Sequence, residues 1–198
     1  MRNFIKLAEG IDMVPAQLVL AQTNLWNQYT LRTATEGSPH RELDDIWLRM
    51  NDLESCRQAG ATGASIDHRE SVNYPAWSEL PYLRRLVMNL FAVVEGERLG
   101  RVLISRLPPG RRILPHKDIG EDLTRYYDNE SYYSRFHLCV QGLPGSIFNC
   151  EDETVQMRTG EAWWFRNDLE HEVVNNSADD RIHVVIDIRT PVYAHIRS

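Results

Sequence analysis

The hydrophobic pattern of this chain changes period near Gly100. Before it, apolar positions recur at helical spacing. Val14-Pro15 opens a segment running to about Trp26, with Leu18, Leu20, Ala21 and Leu25 placed as in an amphipathic helix. Leu83, Leu86, Val87, Leu90, Phe91 and Val94 then repeat at intervals of three and four. Ser78 supplies a cap, Pro81 a first-turn proline and Gly96 a stop, so a second helix is predicted over 79–95. After Gly100 the runs become short, branched and aromatic, divided by Gly, Pro, Asn and Asp: 101–107, 133–141, 146–150, 154–158, 161–166, 171–175 and 181–188. Several alternate. Phe136, Leu138 and Val140 share one face of their run, and Arg135, His137 and Cys139 share the other. Polar residues on an enclosed face mark a site. Helices followed by about seven antiparallel strands predict a mainly β fold, a double-stranded β-helix (jelly roll) with N-terminal helices packed outside it. The chain reads as a single domain over 1–198, with a mixed half over 1–99 and a jelly-roll core over 100–190.

Composition removes several classes. Hydrophobic residues make up 42% and charged residues 25% of 198, which excludes disorder, collagen-like repetition and a disulfide-dense mini-protein. Lys and Arg number 22 against 28 Asp and Glu, a net charge of -6, so no general nucleic-acid surface is expected. No apolar run reaches the ~18 residues of a membrane span. Residues 1–10 are interrupted by Lys6 and Glu9 and do not read as a signal peptide. The cysteines, Cys56, Cys139 and Cys150, are odd in number and form no C-x-x-C. Reduced thiols in a cytoplasmic protein are expected, with Cys139 and Cys150 as inert core groups.

Among seven histidines, three sit two residues before an acid: His40 before Glu42, His68 before Glu70 and His116 before Asp118. About one such pair is expected by chance. His40 and His68 lie in charged, loop-like stretches and read as surface residues. His116 follows the turn Leu107-Pro108-Pro109-Gly110 and the step Ile113-Leu114-Pro115, at a strand end where a rigid sheet can aim a side chain. His171 opens another strand, and Arg181 opens the next one ten residues on. Two neutral imidazoles and a carboxylate on one side of a metal form the facial triad of non-haem Fe(II) oxygenases. Three positions stay open, two for a bidentate 2-oxo acid and one for O2. The far carboxylate of 2-oxoglutarate then needs a fixed cation, and the planar fork of an arginine suits it. The alternative for Arg181 is an edge-strand arginine paired with Asp179 or Asp180.

At these residues the sequence resembles the aspartyl/asparaginyl β-hydroxylase family of Fe(II)- and 2-oxoglutarate-dependent oxygenases. The resemblance runs through 104–110 into Leu114-Pro115-His116-Lys117-Asp118, then 134–138, 160–165, 171–176 and 181–187, with Asp45-Ile46-Trp47-Leu48-Arg49 as an earlier block. It implies that His116, Asp118 and His171 bind iron, that Arg181 pairs with 2-oxoglutarate, and that Ser105, Arg135 and His137 help hold that cosubstrate. The implied activity is hydroxylation of an unactivated C–H on an amino-acid-type substrate, free, carrier-bound or peptidyl, with release of succinate and CO2. His183 is expected to be structural. Trp163 and Trp164 must point opposite ways, and Trp164 joins Arg32, Trp47 and Arg49 as a substrate-contact candidate. A cupin-type metal protein with non-oxidative chemistry, or a purely ligand-binding jelly roll, is the alternative reading.

Overall fold

Two antiparallel sheets lie face to face in the structure, a computed structural model that describes residues 2–54, 71–118 and 133–193. The strands are β1 (Phe4–Ala8), β2 (Asp44–Asn51), β3 (Ser71–Asn73), β4 (Arg98–Leu107), β5 (Arg112–His116), β6 (Ser134–Gln141), β7 (Ser146–Cys150), β8 (Glu153–Val155), β9 (Ala162–Phe165), β10 (His171–Asn175) and β11 (Arg181–Arg189). The helices are α1 (Val14–Gln22), α2 (Leu31–Ala34), α3 (Ala76–Glu79) and α4 (Pro81–Val93). The large sheet has the order β1-β9-β6-β11-β4-β2-β3, and the small one β5-β10-β7-β8. This is the expected jelly roll with helices on its outside. Cys56, His68 and His195 lie outside the described residues. Among the described residues no helix is long and apolar enough to cross a membrane.

Strand alternation sorts the side chains between two cores. Ile46, Leu48, Val102, Ile104, Phe136, Leu138, Val140, Val184 and Ile186 point outward and pack against Ala16, Leu20, Leu83, Val87 and Leu90 of α1 and α4. Phe4, Leu107, Cys139 and Phe165 of the large sheet point inward and meet Ile113, Phe148, Cys150 and Val173 of the small one. Both cores exclude water, so residues of either parity are buried, and polar ones on the inner face are confined between the sheets. Burial pushes the Cys139 and Cys150 thiols up to about 12, in keeping with unreactive core groups.

The elements differ from expectation in identifiable ways. Three strands of the N-terminal half, β1, β2 and β3, enter the large sheet, where β1 pairs with β9, β2 with β4 and β3 with β2. The sequences of β1 and β2 hid this because apolar side chains occur on both faces and break the alternation. In α1 only Ala16 and Leu20 are buried, while Leu18 is 60% exposed. Ser78 caps nothing. It lies within α3, and α4 starts at Pro81 with Leu80 at its N-cap. At the far end Glu95, at φ 52, takes the left-handed conformation. Gly96 is required for space instead, since a Cβ there would stand 2.5 Å from the Phe91 ring.

Candidate active site

His116 ends β5 and His171 begins β10, and the register sets them directly opposite one another. Cross-strand neighbours share a sheet face, and the two rings lie 4.3 Å apart between centroids. Each Nδ1 faces a backbone carbonyl two residues back, Leu114 at 2.7 Å and Leu169 at 2.9 Å. A carbonyl only accepts, so both rings carry the proton on Nδ1, and each Nε2 presents a lone pair. Asp118 is fixed by its backbone N–H, which donates to the Asn167 carbonyl at 3.1 Å. Its Oδ1 lies 3.6 Å from the Nε2 of His116, and its Oδ2 lies 3.6 Å from the Nε2 of His171. Donor atoms of all three residues fall within 4.8 Å of one another. Asp118 Oδ2 is buried without a hydrogen-bond partner. Two neutral imidazole nitrogens and an orphaned carboxylate oxygen converge on one point, which fits a divalent cation of the Fe(II) type.

The second oxygen of Asp118, Oδ1, pairs with Nη1 of Arg135. Burial alone would raise the Asp118 carboxyl, but the Arg135 guanidinium, with His116 and His171, holds it well below the usual carboxylate range. The rest of the Arg135 fork is taken by Asp187, Nε to Oδ1 at 2.7 Å and Nη2 to Oδ2 at 3.0 Å. The resemblance had assigned Arg135 to the cosubstrate. Here its guanidinium is committed to two carboxylates.

Arg181 lies deeper. Only 3% exposed, it sits on central strand β11 between β4 and β6, which removes the edge-strand alternative. Asp180 faces Arg106 instead, at 3.8 Å. Among the described residues no carboxylate pairs with Arg181, and burial pushes its guanidinium down to about 10. Its carbon centre stands 5.8 Å over the ring of Phe148, and the same ring lies 5.9 Å from the His171 ring. Nη2 of Arg181 donates to Nδ1 of His183 at 3.1 Å. Arginine cannot accept, so His183 carries its proton on Nε2. His137 approaches the same nitrogen through Nδ1 at 3.2 Å. Burial, then Arg181, hold both rings well below the usual histidine range and therefore neutral. The Nε2 atoms of His137 and His183 are buried without partners.

Other expected contacts fall elsewhere. Ser105 Oγ donates to Asp45 Oδ1 at 2.8 Å, and Arg32 pairs with Asp45 Oδ2 at 2.7 Å, so these three satisfy one another. Arg49 spends its donors on the carbonyls of Gly100, Ser71 and Leu99 and on Asn73, clamping β3 and β4 to β2. Trp47 faces inward but is 1% exposed, stacked on Tyr29 and edge-on to Tyr74. Trp164 points the opposite way from the site, into the core under the helices, against Tyr193. It is a packing residue. Trp164→Ala should cost about 3–5 kcal/mol of stability and leave metal affinity unchanged. Denaturant unfolding with a metal titration checks this, and a loss under about 1 kcal/mol would return it to the candidates.

Sequence reasoning missed two residues. Asp187 closes the 181–187 block and was given no role of its own. His40, read as a surface residue, packs edge-on to His116 with centroids 4.7 Å apart and its Nδ1 buried without a partner. A bond from the Leu114 N–H to the Pro39 carbonyl ties its loop to β5. No spacing rule along the chain links His40 to His116.

Comparison with known proteins adds three findings. A sequence profile of the family described as Aspartyl/Asparaginyl beta-hydroxylase matches residues 15–191. The L-proline cis-4-hydroxylase of Rhizobium meliloti (strain 1021) is 28% identical over 119 residues, which are 60% of this chain and 39% of that protein. The chain thus spans about two fifths of that relative's length. Among solved structures, a prolyl hydroxylase from Trichoplax adhaerens aligns with TM-score 0.55 and 13% identity over 99% of this chain and 87% of that one. A viral collagen prolyl hydroxylase from Paramecium Bursaria Chlorella virus-1, in its 2OG complex, aligns with TM-score 0.53 and 9% identity over 96% and 97%. At these identities the structural matches establish the shared fold.

Proposed function

The chain belongs to the aspartyl/asparaginyl β-hydroxylase family, and from that premise we propose that it is an Fe(II)- and 2-oxoglutarate-dependent hydroxylase of an amino-acid-type substrate. His116 and His171 hold the iron through Nε2, their Nδ1 protons pinned by the Leu114 and Leu169 carbonyls. Asp118 supplies Oδ2, the oxygen left without a protein partner. Ferrous iron with 2-oxoglutarate and O2 supplies the oxidising chemistry, in which the cosubstrate becomes succinate and CO2 and one oxygen atom enters a C–H bond.

Arg181 carries the cosubstrate assignment. A guanidinium sealed between two sheets, with no acid beside it among the described residues, is costly unless an anion joins it. Arg181 and His171 both lie beside the Phe148 ring, so a dicarboxylate held by the metal at one end can pair with the guanidinium at the other. His183 holds the guanidinium by accepting from Nη2. Phe148 and Phe165 pack against the His171 ring as part of a buried apolar cluster, which keeps water from the reacting groups. A non-oxidative cupin has no use for a buried cation at this position.

For the substrate, the named relatives act on L-proline or prolyl units, so L-proline and a prolyl peptide are the first compounds to test, with Asp- and Asn-containing peptides and carrier-bound amino acids next. Protein given Fe(II), ascorbate and 2-oxoglutarate should form succinate slowly alone and several-fold faster with its substrate. A protein that binds Fe(II) but yields no succinate, with or without any of these compounds, is not an oxygenase of this type.

A further inference from the structure

We propose that Asp187 is a positioning residue for the metal-binding carboxylate, acting through Arg135 to keep one oxygen of Asp118 available to the metal. This inference rests on the metal site proposed above and is independent of the cosubstrate and of the substrate. Asp187 on β11 and Arg135 on β6 are direct cross-strand partners. Their two parallel hydrogen bonds, at 2.7 and 3.0 Å, occupy the Nε–Nη2 edge of the guanidinium. The remaining nitrogen, Nη1, is directed at Asp118, where it pairs with Oδ1.

The division of the fork matters because an arginine facing a single carboxylate tends to bind it bidentately, through two parallel bonds that engage both oxygens. Without Asp187, Arg135 would be drawn to pair with Asp118 in that way, and the oxygen needed for the metal would be lost to a protein ion pair. With Asp187 in place the second edge is filled. Asp118 Oδ2 is left beside His171 Nε2 with no hydrogen bond of its own. The row continues outward, where Arg101 on β4 donates through Nε to Asp187 Oδ2 at 3.0 Å. Side-chain exposures of 6% for Asp118, 11% for Arg135, 6% for Asp187 and 23% for Arg101 trace a row of alternating charge from the metal site toward the surface. Among the described residues the row alternates two anions with two cations, so each buried charge has an opposite neighbour.

The test uses Co(II) as the probe, titrated anaerobically into metal-free full-length protein and followed by tryptophan fluorescence and calorimetry. Asp187→Asn keeps the size but removes the charge and turns an amide N–H toward a guanidinium. Co(II) affinity should fall by about 10- to 100-fold, the usual cost of losing a group that orients a metal ligand. Arg101→Gln, at the outer end, should weaken Co(II) in the same direction by about two- to fivefold. A merely structural role would lower the melting temperature and leave Co(II) affinity of the folded protein unchanged, and that result would overturn the proposal. If Asp187→Asn does not fold, Arg101→Gln decides, and unaltered affinity in it counts against the relay. Wild-type protein that binds no Co(II) would instead sink the metal site itself.

Discussion

Arg181→Met should leave a protein that folds at least as well as the parent and scarcely uses 2-oxoglutarate. The two effects have opposite signs because Arg181 serves a ligand and not the fold. In the ligand-free protein its guanidinium is buried with no acid among the described residues, and burial pushes it down to about 10. That drop corresponds to about 3 kcal/mol of unfavourable burial. Methionine fills similar volume without a charge. It forfeits the bond to His183 and the stacking on Phe148, which together offset about 1–2 kcal/mol of the gain. A net stabilisation of about 1 kcal/mol is expected, measurable by urea unfolding. Cosubstrate binding moves the other way. Removing one partner of a buried, hydrogen-bonded charge pair costs about 2–5 kcal/mol, so the 2-oxoglutarate concentration for half-maximal succinate formation should rise about thirtyfold or more. The iron requirement should barely move. An unchanged 2-oxoglutarate dependence, or a marked destabilisation of the ligand-free protein, would show that the guanidinium has another partner.

His171→Ala should abolish stoichiometric metal binding while the protein still folds. Four-ligand zinc sites reach about 10–16 kcal/mol, or about 3–4 per ligand, so one lost imidazole weakens the metal by about two to three orders of magnitude. The stability cost is smaller. The Leu169 carbonyl loses its donor, and Phe148 and Phe165 lose an aromatic neighbour, together about 1–3 kcal/mol. His116→Ala should behave alike. If both variants retained one equivalent of iron after anaerobic purification, the ligand assignment would be wrong. Circular dichroism separates loss of metal from loss of fold.

Alternation along β6, β7, β10 and β11 could be read from the residues themselves, because a pleated strand buried on both faces still sorts side chains by parity. That parity put Arg135, His137 and Cys139 on one face and Phe136, Leu138 and Val140 on the other, and the structure keeps that division. The turns before His116 and His171 were equally local, so their strand-end positions were legible too. Parity does not say what a face meets. Trp164 has the same phase as Phe136 across the β6–β9 pairing and is therefore buried under the helices, which only the pairing reveals. Arg49 and Arg32 carry the residue type of a substrate grip, yet their partners come from elements that fold beside them.

Asp187 stands 52 residues from Arg135, and Ser105 stands 60 from Asp45. Such pairs are fixed by strand register. Register is set by the turns and by the whole apolar pattern of a sheet, not by any short motif. The chain by itself therefore determined the strand periods, the helix-forming apolar stripe of α4 and the residue types fit for a metal and a dicarboxylate. Only the tertiary structure decided which charges neutralise one another, leaving Asp118 Oδ2 without a hydrogen-bond partner and, among the described residues, Arg181 without an acid. Ionic pairing between distant strands acts through space, and its outcome is settled when the two sheets close.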